Sequence, residues 1–481
     1  MNLQSPATIE QARERLERVD QSHVLKFYES LDAAGRESLL RQVHEIEPER
    51  LPALIDEYVK KKPHASHAAE PQPAPFYGRD GAGPSGPWDR ARARAAGEEL
   101  LRRGKVAAFT VAGGQGSRLG FEGPKGMFPG TPVTKKPLFR VLAEWIIAAQ
   151  KRYAGTIPWY IMTSPINHEP TVSFFREQGF FGLRERDILF FSQGVLPSLE
   201  MGTGRLMLDD RGVIAVNPDG HGGSLRALAV SGALEDMTRR GVEQISYVQI
   251  DNPLARVIDP VFIGLHAGAP DSSGEMSSKM VAKTDAAEKV GVFCRVTGKT
   301  CVIEYSDLSP ALAAQRGPDG RLRFCAGSIA IHILSVEFVS RLNRGGGFAL
   351  PLHRAEKKVP FLDLESGRKV QPDKPNAVKI EAFVFDALPL CRSSIVYETD
   401  RIEEFAPIKN ADGVDSPATC AAIQTERAAR WLESHGVKVP RDDRGIAQCT
   451  LEISPLTAMD PQDLANARLP KSIERGAALA L

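Results

Sequence analysis

An apolar run that ends in a glycine-rich loop constrains the fold of this chain more than any other feature. Residues 105–112 (KVAAFTVA) lead directly into GGQGSRLGFEGPKG, a loop with six glycines, Arg118 and Lys125. A continuous apolar run is typical of a strand buried on both faces of a parallel sheet. Glycines after such a strand remove side chains that would keep a ligand away from the backbone. The pattern predicts a buried strand with a binding loop at its carboxyl end.

Further apolar runs alternate with helical patterns along the next 180 residues or so. The runs are PWYIMTS, DILFFSQ, QISYVQIDNP and MVAKT, and the stretch KPLFRVLAEWIIAAQKRY before the first of them has one apolar face at helical spacing. Strands that alternate with helices predict an α/β fold with a doubly wound, Rossmann-like sheet that is mixed but mostly parallel. Ligands of such sheets bind at the carboxyl ends of the strands.

The same patterns divide the chain into three predicted parts. Residues 1–95 combine a helical N-terminal region with a stretch rich in Ala, Pro and Gly (64–87), which is either a linker or a wrapped extended segment. Residues 96–410 form the main α/β domain, in which β-rich pieces from about residue 291 favour an insertion folded against the main sheet. Residues 411–481 form a small C-terminal domain.

The composition limits the classes of partner. The formal net charge of +1 gives no reason to expect nucleic-acid or membrane partners, so any affinity for anions comes from a local site. The six cysteines are scattered without a C-x-x-C pair, which favours reduced thiols. The N-terminus lacks the apolar region of a signal peptide, and no apolar stretch is long enough to span a membrane. We expect a cytoplasmic protein that is a monomer or a weak homo-oligomer.

The glycine loop has three possible interpretations. A Walker loop needs Gly-Lys-Ser or Gly-Lys-Thr, which is absent, and a dinucleotide fingerprint needs its third glycine one residue before Gly120. A structural turn accounts for the glycines but not for the two cations Arg118 and Lys125. Backbone N–H groups and cations together are suited to phosphate oxygens. The loop therefore predicts a nucleotide site.

The loop and eight further blocks resemble the eukaryotic-type UDP-sugar pyrophosphorylase family. The blocks follow in the family's order and include FFSQGVLPSL, NPDGHGGSLRAL, QIDNPLARVIDPVFIG, KPNAVKIEAFVFD and EEFAPIKNADG. Several are most similar to the UDP-N-acetylhexosamine pyrophosphorylase branch. The resemblance implies a nucleotidyltransferase (GT-A-like) fold. It also implies an enzyme that makes a UDP-sugar and pyrophosphate from UTP and a sugar 1-phosphate, with Mg²⁺ as cofactor.

The resemblance also implies roles for individual residues. Arg118, Lys125 and Lys409 would act on the phosphates, with Lys379 as a weaker candidate. Asp251 ends the run QISYVQID and would contact both Mg²⁺ and substrate. The remaining residues expected to bind substrate are Ala112, Gly113, Gly114, Gln193, Gly220, His221, Gly291, Glu304, Ser328, Phe383 and Phe385. The two phenylalanines, at positions i and i+2, would share one face of a strand as pocket wall or as core.

Two positions depart from the hexosamine branch and leave the sugar open. The branch typically has Asn where this chain has His221 and where it has Ser328. A buried polar mismatch costs about 1–3 kcal/mol, enough to change a sugar preference tenfold or more. The activity predicted here is synthesis of UDP-N-acetylglucosamine, and UDP-glucose or a broad range of UDP-sugars is the alternative. A non-catalytic UDP-sugar-binding regulator is the alternative from another class.

Overall fold

A computed structural model describes residues 8–61, 70–344 and 348–481 of the chain. They form two compact units. The segmented unit consists of the described parts of Met1–Ser66, Gln193–Ser224 and Leu350–Val384. The sheet unit consists of the described parts of His67–Ser192, Leu225–Ala349 and Phe385–Leu481.

The sheet unit is built on a ten-stranded central sheet. Its strands, in chain order, are β1 (Gln72–Pro73), β2 (Val106–Val111), β3 (Trp159–Thr163), β4 (Ile188–Ser192), β5 (Gln244–Gln249), β6 (Met276–Ala282), β7 (Val292–Val296), β8 (Lys299–Ile303), β9 (Ala326–Ser335) and β10 (Val396–Glu398). The main path runs β1-β7-β9-β5-β2-β3-β4, with β8 beside β7 and with β6 between β9 and β10. The pairs β5–β2, β2–β3, β3–β4 and β6–β10 are parallel, and the other pairs are antiparallel.

Helices cover both faces of this sheet. The α-helices of the sheet unit are Arg90–Arg102, Leu138–Tyr153, His168–Glu177, Ala233–Arg239, Pro260–Gly268, Pro310–Ala313, Val336–Leu342, Arg401–Glu404 and Pro417–Ser434. Adjacent residues of β3 point to opposite faces. Trp159 packs edge-on against Phe139 of one helix and tilted against Phe175 of another, whereas the Tyr160 hydroxyl donates to Asp236 of a third at 2.7 Å. The predicted doubly wound α/β fold is therefore confirmed.

The β-rich region after residue 291 is part of the central sheet. Expected as an insertion folded against that sheet, it instead supplies β7, β8 and β9, and β9 pairs directly with β5. The reason lies in strand direction: β7 and β8 form an antiparallel pair joined by a short turn, and β9 runs antiparallel to β5, so the alternation of strands and helices that marks a parallel sheet ends there.

An extended segment crosses the sheet unit before its first long helix. Gln72 pairs with Arg295 of β7, and Tyr77 forms a bridge to Tyr397 of β10. The Trp88 ring packs edge-on against Tyr77 and Tyr397. For residues 70–87 the structure supports the wrapped-segment interpretation, while the part of the expected linker at residues 64–69 lies outside the described residues.

The segmented unit joins the N-terminal helices to strands from later in the chain. Its α-helices are Ile9–Glu17, Ala33–Glu45 and Leu51–Leu54, and its strands are Val195–Pro197, Leu199–Glu200, Leu208–Asp210, Val213–Ile214, Val216–Pro218, His353–Lys357, Phe361–Leu362, Lys369–Val370 and Ala377–Glu381. The buried face of the helices, including Leu16 and Val43, packs against Leu199, Leu208 and Ile380. The helix Gly223–Val230 spans the sequence boundary at Ser224.

The C-terminal region has a small core of its own. Trp431 and Leu432 of the helix Pro417–Ser434 pack with Leu451 and Leu464, and Thr450–Glu452 pairs in parallel with Ala478–Ala480. The predicted boundaries after residues 95 and 410 do not coincide with the limits of the two units, and the three-domain division stays a prediction. Within the described ranges, no helix combines the length and hydropathy that crossing a membrane requires.

Candidate active site

The glycine-rich loop folds back on itself directly after β2. The Ala112 N–H still donates to Met162 of β3, at 2.7 Å, and the loop then closes through two backbone hydrogen bonds. Lys125 N–H donates to the Gly114 carbonyl at 3.0 Å, and Gly116 N–H donates to the Gly123 carbonyl at 2.9 Å. These bonds make residues 114–125 a closed turn at the carboxyl end of a central strand.

The glycines of this loop serve two different purposes. A Cβ atom at Gly116 would lie 2.7 Å from the Phe121 ring, and one at Gly126 would lie 2.1 Å from the Phe139 ring, so both positions are small because the loop packs tightly. A Cβ atom at Gly114 would meet nothing nearer than Lys125 Cε at 3.9 Å. Gly114 therefore leaves open space beside the backbone, which is suited to the close approach of a ligand.

A buried amide that the sequence analysis missed holds this turn in place. Asn167 Nδ2 donates to the carbonyls of Ala112 at 3.0 Å and Gly114 at 3.3 Å, while its Oδ1 accepts from the Ser164 N–H at 2.6 Å. Asn167 is fully buried. Its one sequence signal is a position just beyond the carboxyl end of β3, the strand next to β2.

Two cations flank the turn without a carboxylate partner. Arg118 is exposed and Lys125 is partly buried, and neither forms an ion pair or a side-chain hydrogen bond within the described ranges. Unpaired cations beside a backbone turn are suited to an anionic ligand such as a polyphosphate.

Asp251 lies beside the glycine turn because its strand is the parallel neighbour of β2. Gln249 of β5 pairs with Val111 of β2, and the Ile250 N–H donates to the Val111 carbonyl at 3.1 Å. Beyond these paired residues, the chain continues as Asp251 after β5 and as the glycine loop, which starts at Ala112, after β2. Parallel strands bring their carboxyl ends to one edge of the sheet, as the apolar runs predict.

Three of the residues expected to bind sugar continue this edge. Ser328 near the start of β9 donates its N–H to the Gly291 carbonyl at 2.8 Å. Val292, the first residue of β7, pairs with Gly327 of β9 and with Ile303 of β8. Glu304, which follows β8, has its Oε1 only 3.1 Å from where a Cβ atom at Gly291 would stand. The strand register thus brings Gly291, Glu304 and Ser328 together.

A cavity of about 70 Å³ connects the carboxylate, the serine and a lysine. Its lining includes Asp251, Ser328 and Lys409. Lys409 Nζ lies 3.3 Å from Asp415 and 5.7 Å from the centre of the Phe405 ring. Lys409 is therefore a partly exposed cation at the same edge as Asp251, as the EEFAPIKNADG block predicts.

The donor set at Asp251 fits a magnesium ion held partly by substrate. The Asp251 carboxylate has no ion-pair or hydrogen-bond partner in the part of the chain that the structure describes. The same part contains no group of three or more His, Cys, Asp or Glu side chains arranged for a metal ion. Mg²⁺ commonly uses one or two carboxylates and completes its shell with phosphates and water.

The segmented unit holds a separate group of predicted residues around a stacked aromatic ring. Phe383 stacks between His221, with ring centroids 5.3 Å apart, and His353, with centroids 4.6 Å apart. Gly220 has φ +85°, and a Cβ atom there would lie 2.3 Å from the Ala382 carbonyl oxygen. The DGHGG turn is therefore glycine-rich because it packs against the backbone before Phe383.

His221 is a neutral hydrogen-bond donor in this group. Burial first, and then the charge of His353, lowers the pKa of His221 to about 4. Its Nδ1 accepts the Val384 N–H at 3.1 Å, so the single proton of the neutral ring is on Nε2. His221 thus carries one N–H donor, whereas an asparagine amide carries two N–H donors and an acceptor oxygen.

The expected strand face shared by Phe383 and Phe385 is wrong. The strand Ala377–Glu381 ends first, because Ala382 N–H turns to the Asp219 carbonyl, and Phe385 lies in the 3₁₀-helix Val384–Leu390. Phe385 is buried, whereas Phe383 is partly buried in the histidine stack.

The two remaining predicted residues also lie in the segmented unit. Lys379 is on the strand Ala377–Glu381, with its Nζ 3.9 Å from Glu381 Oε2. Gln193 directly follows β4 and is buried. The described contacts of these two residues do not join either of them to the sheet edge of Asp251.

Comparison with known proteins gives one consistent result. The family model of UTP–glucose-1-phosphate uridylyltransferase matches residues 89–440. The chain is 36% identical to human UDP-N-acetylhexosamine pyrophosphorylase-like protein 1 over 95% of this chain and 94% of the relative, and 38% identical to the UDP-N-acetylglucosamine pyrophosphorylase of Saccharomyces cerevisiae over 71% and 73%. The crystal structure of the uridine diphosphate N-acetylglucosamine pyrophosphorylase from Trypanosoma brucei, in complex with an inhibitor, is similar at a TM-score of 0.81, with 26% identity and 98% of both chains covered.

Proposed function

The chain belongs to the UTP–glucose-1-phosphate uridylyltransferase family, and we propose that it makes UDP-N-acetylglucosamine and pyrophosphate from UTP and N-acetylglucosamine 1-phosphate. One observation carries the proposal: the glycine turn and Asp251 share one edge of the sheet, and within the described ranges the two cations of the turn are unpaired and the Asp251 carboxylate is free. The named relatives support N-acetylglucosamine as the sugar.

The reaction joins two anions, so charge neutralisation and positioning are the main tasks of the protein. A phosphate oxygen of the sugar 1-phosphate attacks the α-phosphorus of UTP in line. The bond from the α-phosphorus to the bridging oxygen breaks, and pyrophosphate leaves with that electron pair. Arg118 and Lys125 would stabilise the charge of the triphosphate, and Lys409 would approach the reacting phosphates from the cavity that Asp251 lines. No protein nucleophile is required.

Asp251 is the residue that we assign to Mg²⁺. A bound magnesium ion would neutralise phosphate charge in the transition state. Because Asp251 has no competing partner within the described ranges, its two carboxylate oxygens are available for a metal ion and its water shell. We assign no second protein ligand.

The other predicted residues divide between uridine and sugar. We assign the backbone of Ala112, Gly113 and Gly114 to the uracil side, together with Gln193 and Gly220. We assign the sugar side to His221, Gly291, Glu304, Ser328, Phe383 and Phe385, and Lys379 stays a weaker candidate for the phosphates.

The cellular setting is part of the same proposal. All six cysteines are free thiols, which supports a reducing compartment such as the cytoplasm. We also propose a monomer or a weak homo-oligomer, which light scattering at several protein concentrations measures directly.

The decisive experiment measures pyrophosphate release with UTP, Mg²⁺ and either N-acetylglucosamine 1-phosphate or glucose 1-phosphate. We expect a clear preference for the acetylated sugar. We also expect Asp251→Asn to reduce turnover at least about 100-fold, since charge-stabilising groups at reacting phosphates contribute on this order.

Each contrary result points to a different alternative. A preference for glucose 1-phosphate would mean that His221 and Ser328 set a different sugar specificity. No pyrophosphate release with any sugar 1-phosphate, together with UDP-sugar binding in calorimetry, would favour the non-catalytic regulator. Equal turnover in wild type and Asp251→Asn would remove Asp251 from the metal site.

A further inference from the structure

Asn252, the residue after Asp251, has a buried side chain with polar contacts at both ends. It is only 4% exposed. Its Nδ2 donates to the Glu404 carbonyl at 2.7 Å, and its Oδ1 accepts the Ala406 N–H at 3.1 Å. The same Oδ1 accepts the Leu254 N–H at 3.2 Å. One side chain therefore closes its own turn and also binds backbone groups more than 150 residues further along the chain.

A backbone hydrogen bond completes the connection. The Ile408 N–H donates to the carbonyl of Asp251 at 2.8 Å, one residue before Lys409. Three hydrogen bonds thus tie residues 404–408 to the strand end that carries Asp251. Because Lys409 directly follows these residues, its backbone position relative to Asp251 is fixed jointly by the Asn252 amide and by the bond between Ile408 and Asp251.

The far end of the tied segment is anchored independently. Lys279 Nζ donates to both carboxylate oxygens of Glu404, at 2.6 and 2.9 Å, and the Thr399 hydroxyl donates to the same carboxylate at 2.6 Å. Glu404 is itself buried, so its backbone carbonyl is presented to Asn252 from a rigid position. Asn252 is the link between this anchor and the site.

We propose that Asn252 is a positioning residue of the transferase, which holds Lys409 and Asp251 at a fixed separation. The inference rests on the function proposed above. Asn252 acts by keeping the phosphate-binding lysine opposite the metal-binding carboxylate. We call the two hydrogen bonds from Asn252 to the backbone of Glu404 and Ala406 the clamp. Misplacement of a reacting group by about 1 Å costs on the order of 100-fold in rate, so loss of the clamp is expected to slow the reaction.

The test combines two substitutions in a double-mutant cycle. Asn252→Ala removes the clamp, Lys409→Ala removes the cation, and the double variant measures their coupling. We expect Asn252→Ala to lower kcat about 10- to 100-fold. We expect Lys409→Ala to cost several-fold less in the Asn252→Ala background than in wild type, because a displaced lysine has little left to contribute. Asn252→Asp, which keeps the acceptor but loses the donor, serves if the alanine variant does not fold.

A second readout does not depend on activity. Amide hydrogen exchange, measured by mass spectrometry on peptides that cover residues 404–410, follows the Ala406 and Ile408 N–H groups directly. We expect faster exchange there in Asn252→Ala than in wild type. Asn376→Ala is the matched control, because Asn376 clamps the backbone of Val359 in the segmented unit through one donated and one accepted hydrogen bond, of 2.9 and 2.8 Å.

The outcomes separate the clamp from the proposed function. Full additivity in the cycle, or unchanged exchange at residues 404–410, would overturn the positioning role of Asn252. The same coupling in the Asn376→Ala background would also overturn it, since the effect would then be general destabilisation. A wild-type protein without transferase activity would overturn the proposed function, and the exchange experiment would still decide whether the clamp exists.

Discussion

Two sets of basic side chains in the sheet unit differ in almost every physical respect. Arg118 and Lys125 project from the glycine turn and have no carboxylate partner in the described ranges. Lys279 is completely buried and lies 2.6 Å from both Asp259 and Glu404, and its neighbour Arg256 lies 2.8 Å from Asp460. In the described ranges, the cations of the first set have no carboxylate partner, whereas those of the second set are paired with carboxylates of the same chain.

The difference shows what a cation contributes to a folded protein. Burial lowers the pKa of Lys279, but the carboxylates of Asp259 and Glu404 outweigh burial and hold that pKa above its usual value. The pKa of Asp259 is correspondingly held below its usual range, despite burial, by the charges of Lys279 and Arg256. A buried cation that is fully paired stabilises the fold, whereas an unpaired cation at a turn is available to bind an anionic ligand.

The largest expected effect comes from breaking the buried set. Lys279→Met leaves Asp259 and Glu404 as buried charges with one fewer partner, which costs about 3–5 kcal/mol of unfolding free energy. Urea denaturation followed by circular dichroism measures this loss. Lys151→Ala, at an exposed helical position, is the control and is expected to change stability by less than about 0.5 kcal/mol. A loss below about 1 kcal/mol for Lys279→Met would mean that water solvates the carboxylates of Asp259 and Glu404.

Removing a cation of the unpaired set is expected to affect catalysis and spare stability. Lys125→Ala should lower kcat/KM about 100-fold, which is the scale for one group that stabilises charge in the transition state. Its unfolding free energy should stay within about 0.5 kcal/mol of wild type, because no partner is left behind. Steady-state pyrophosphate release and urea denaturation measure the two quantities. A large stability loss with unchanged kinetics would reverse the assignment of the two sets.

The smallest expected effect tests a buried base that stays uncharged. Burial lowers the pKa of His266 to about 4, and its ring nitrogens contact Ser277 and Gln244 without any carboxylate. The unfolded chain binds a proton near pH 6.5 and the folded chain does not, so this contribution is present above pH 6.5 and is lost as the pH falls towards 4.

The comparison variant for this test is His266→Gln. Wild type should lose about 1–2 kcal/mol more unfolding free energy than the variant between pH 7 and pH 5. Urea titrations at the two pH values measure this difference. Identical pH dependence of the two proteins would show that folding leaves the pKa of the His266 ring unchanged.

The sequence predicted the sheet edge because strand ends follow from apolar runs. The runs end at the loop after β2 and at Asp251, and parallel pairing then brings Ala112–Gly114 and Asp251 together without further information. The family blocks supplied Gly291, Glu304, Ser328 and Lys409. The confirmed fold class and family therefore rest on periodicity and on motifs read together.

The hydrogen bonds made by the side chains of Asn167 and Asn252 could not be predicted, because their partners are distant in sequence and are backbone groups. Asn167 and Asn252 bind carbonyls and N–H groups that any residue type provides, so no pattern marks the other end. The strand face expected for Phe383 and Phe385 failed for a related reason. That strand ends where the Ala382 N–H bonds to the Asp219 carbonyl, and the local alternation of apolar residues does not predict such a tertiary contact.

The three-part construction of the segmented unit has a consequence during synthesis on the ribosome. The helices of residues 8–61 emerge well before Leu199, Leu208 and Ile380, against which their apolar faces pack. At about 5–20 residues per second, those helices wait roughly 15–65 seconds for the segment that ends at Val384. Apolar helix faces that stay exposed on a nascent chain are typical binding sites for chaperones, so these helices complete their packing long after they are synthesised.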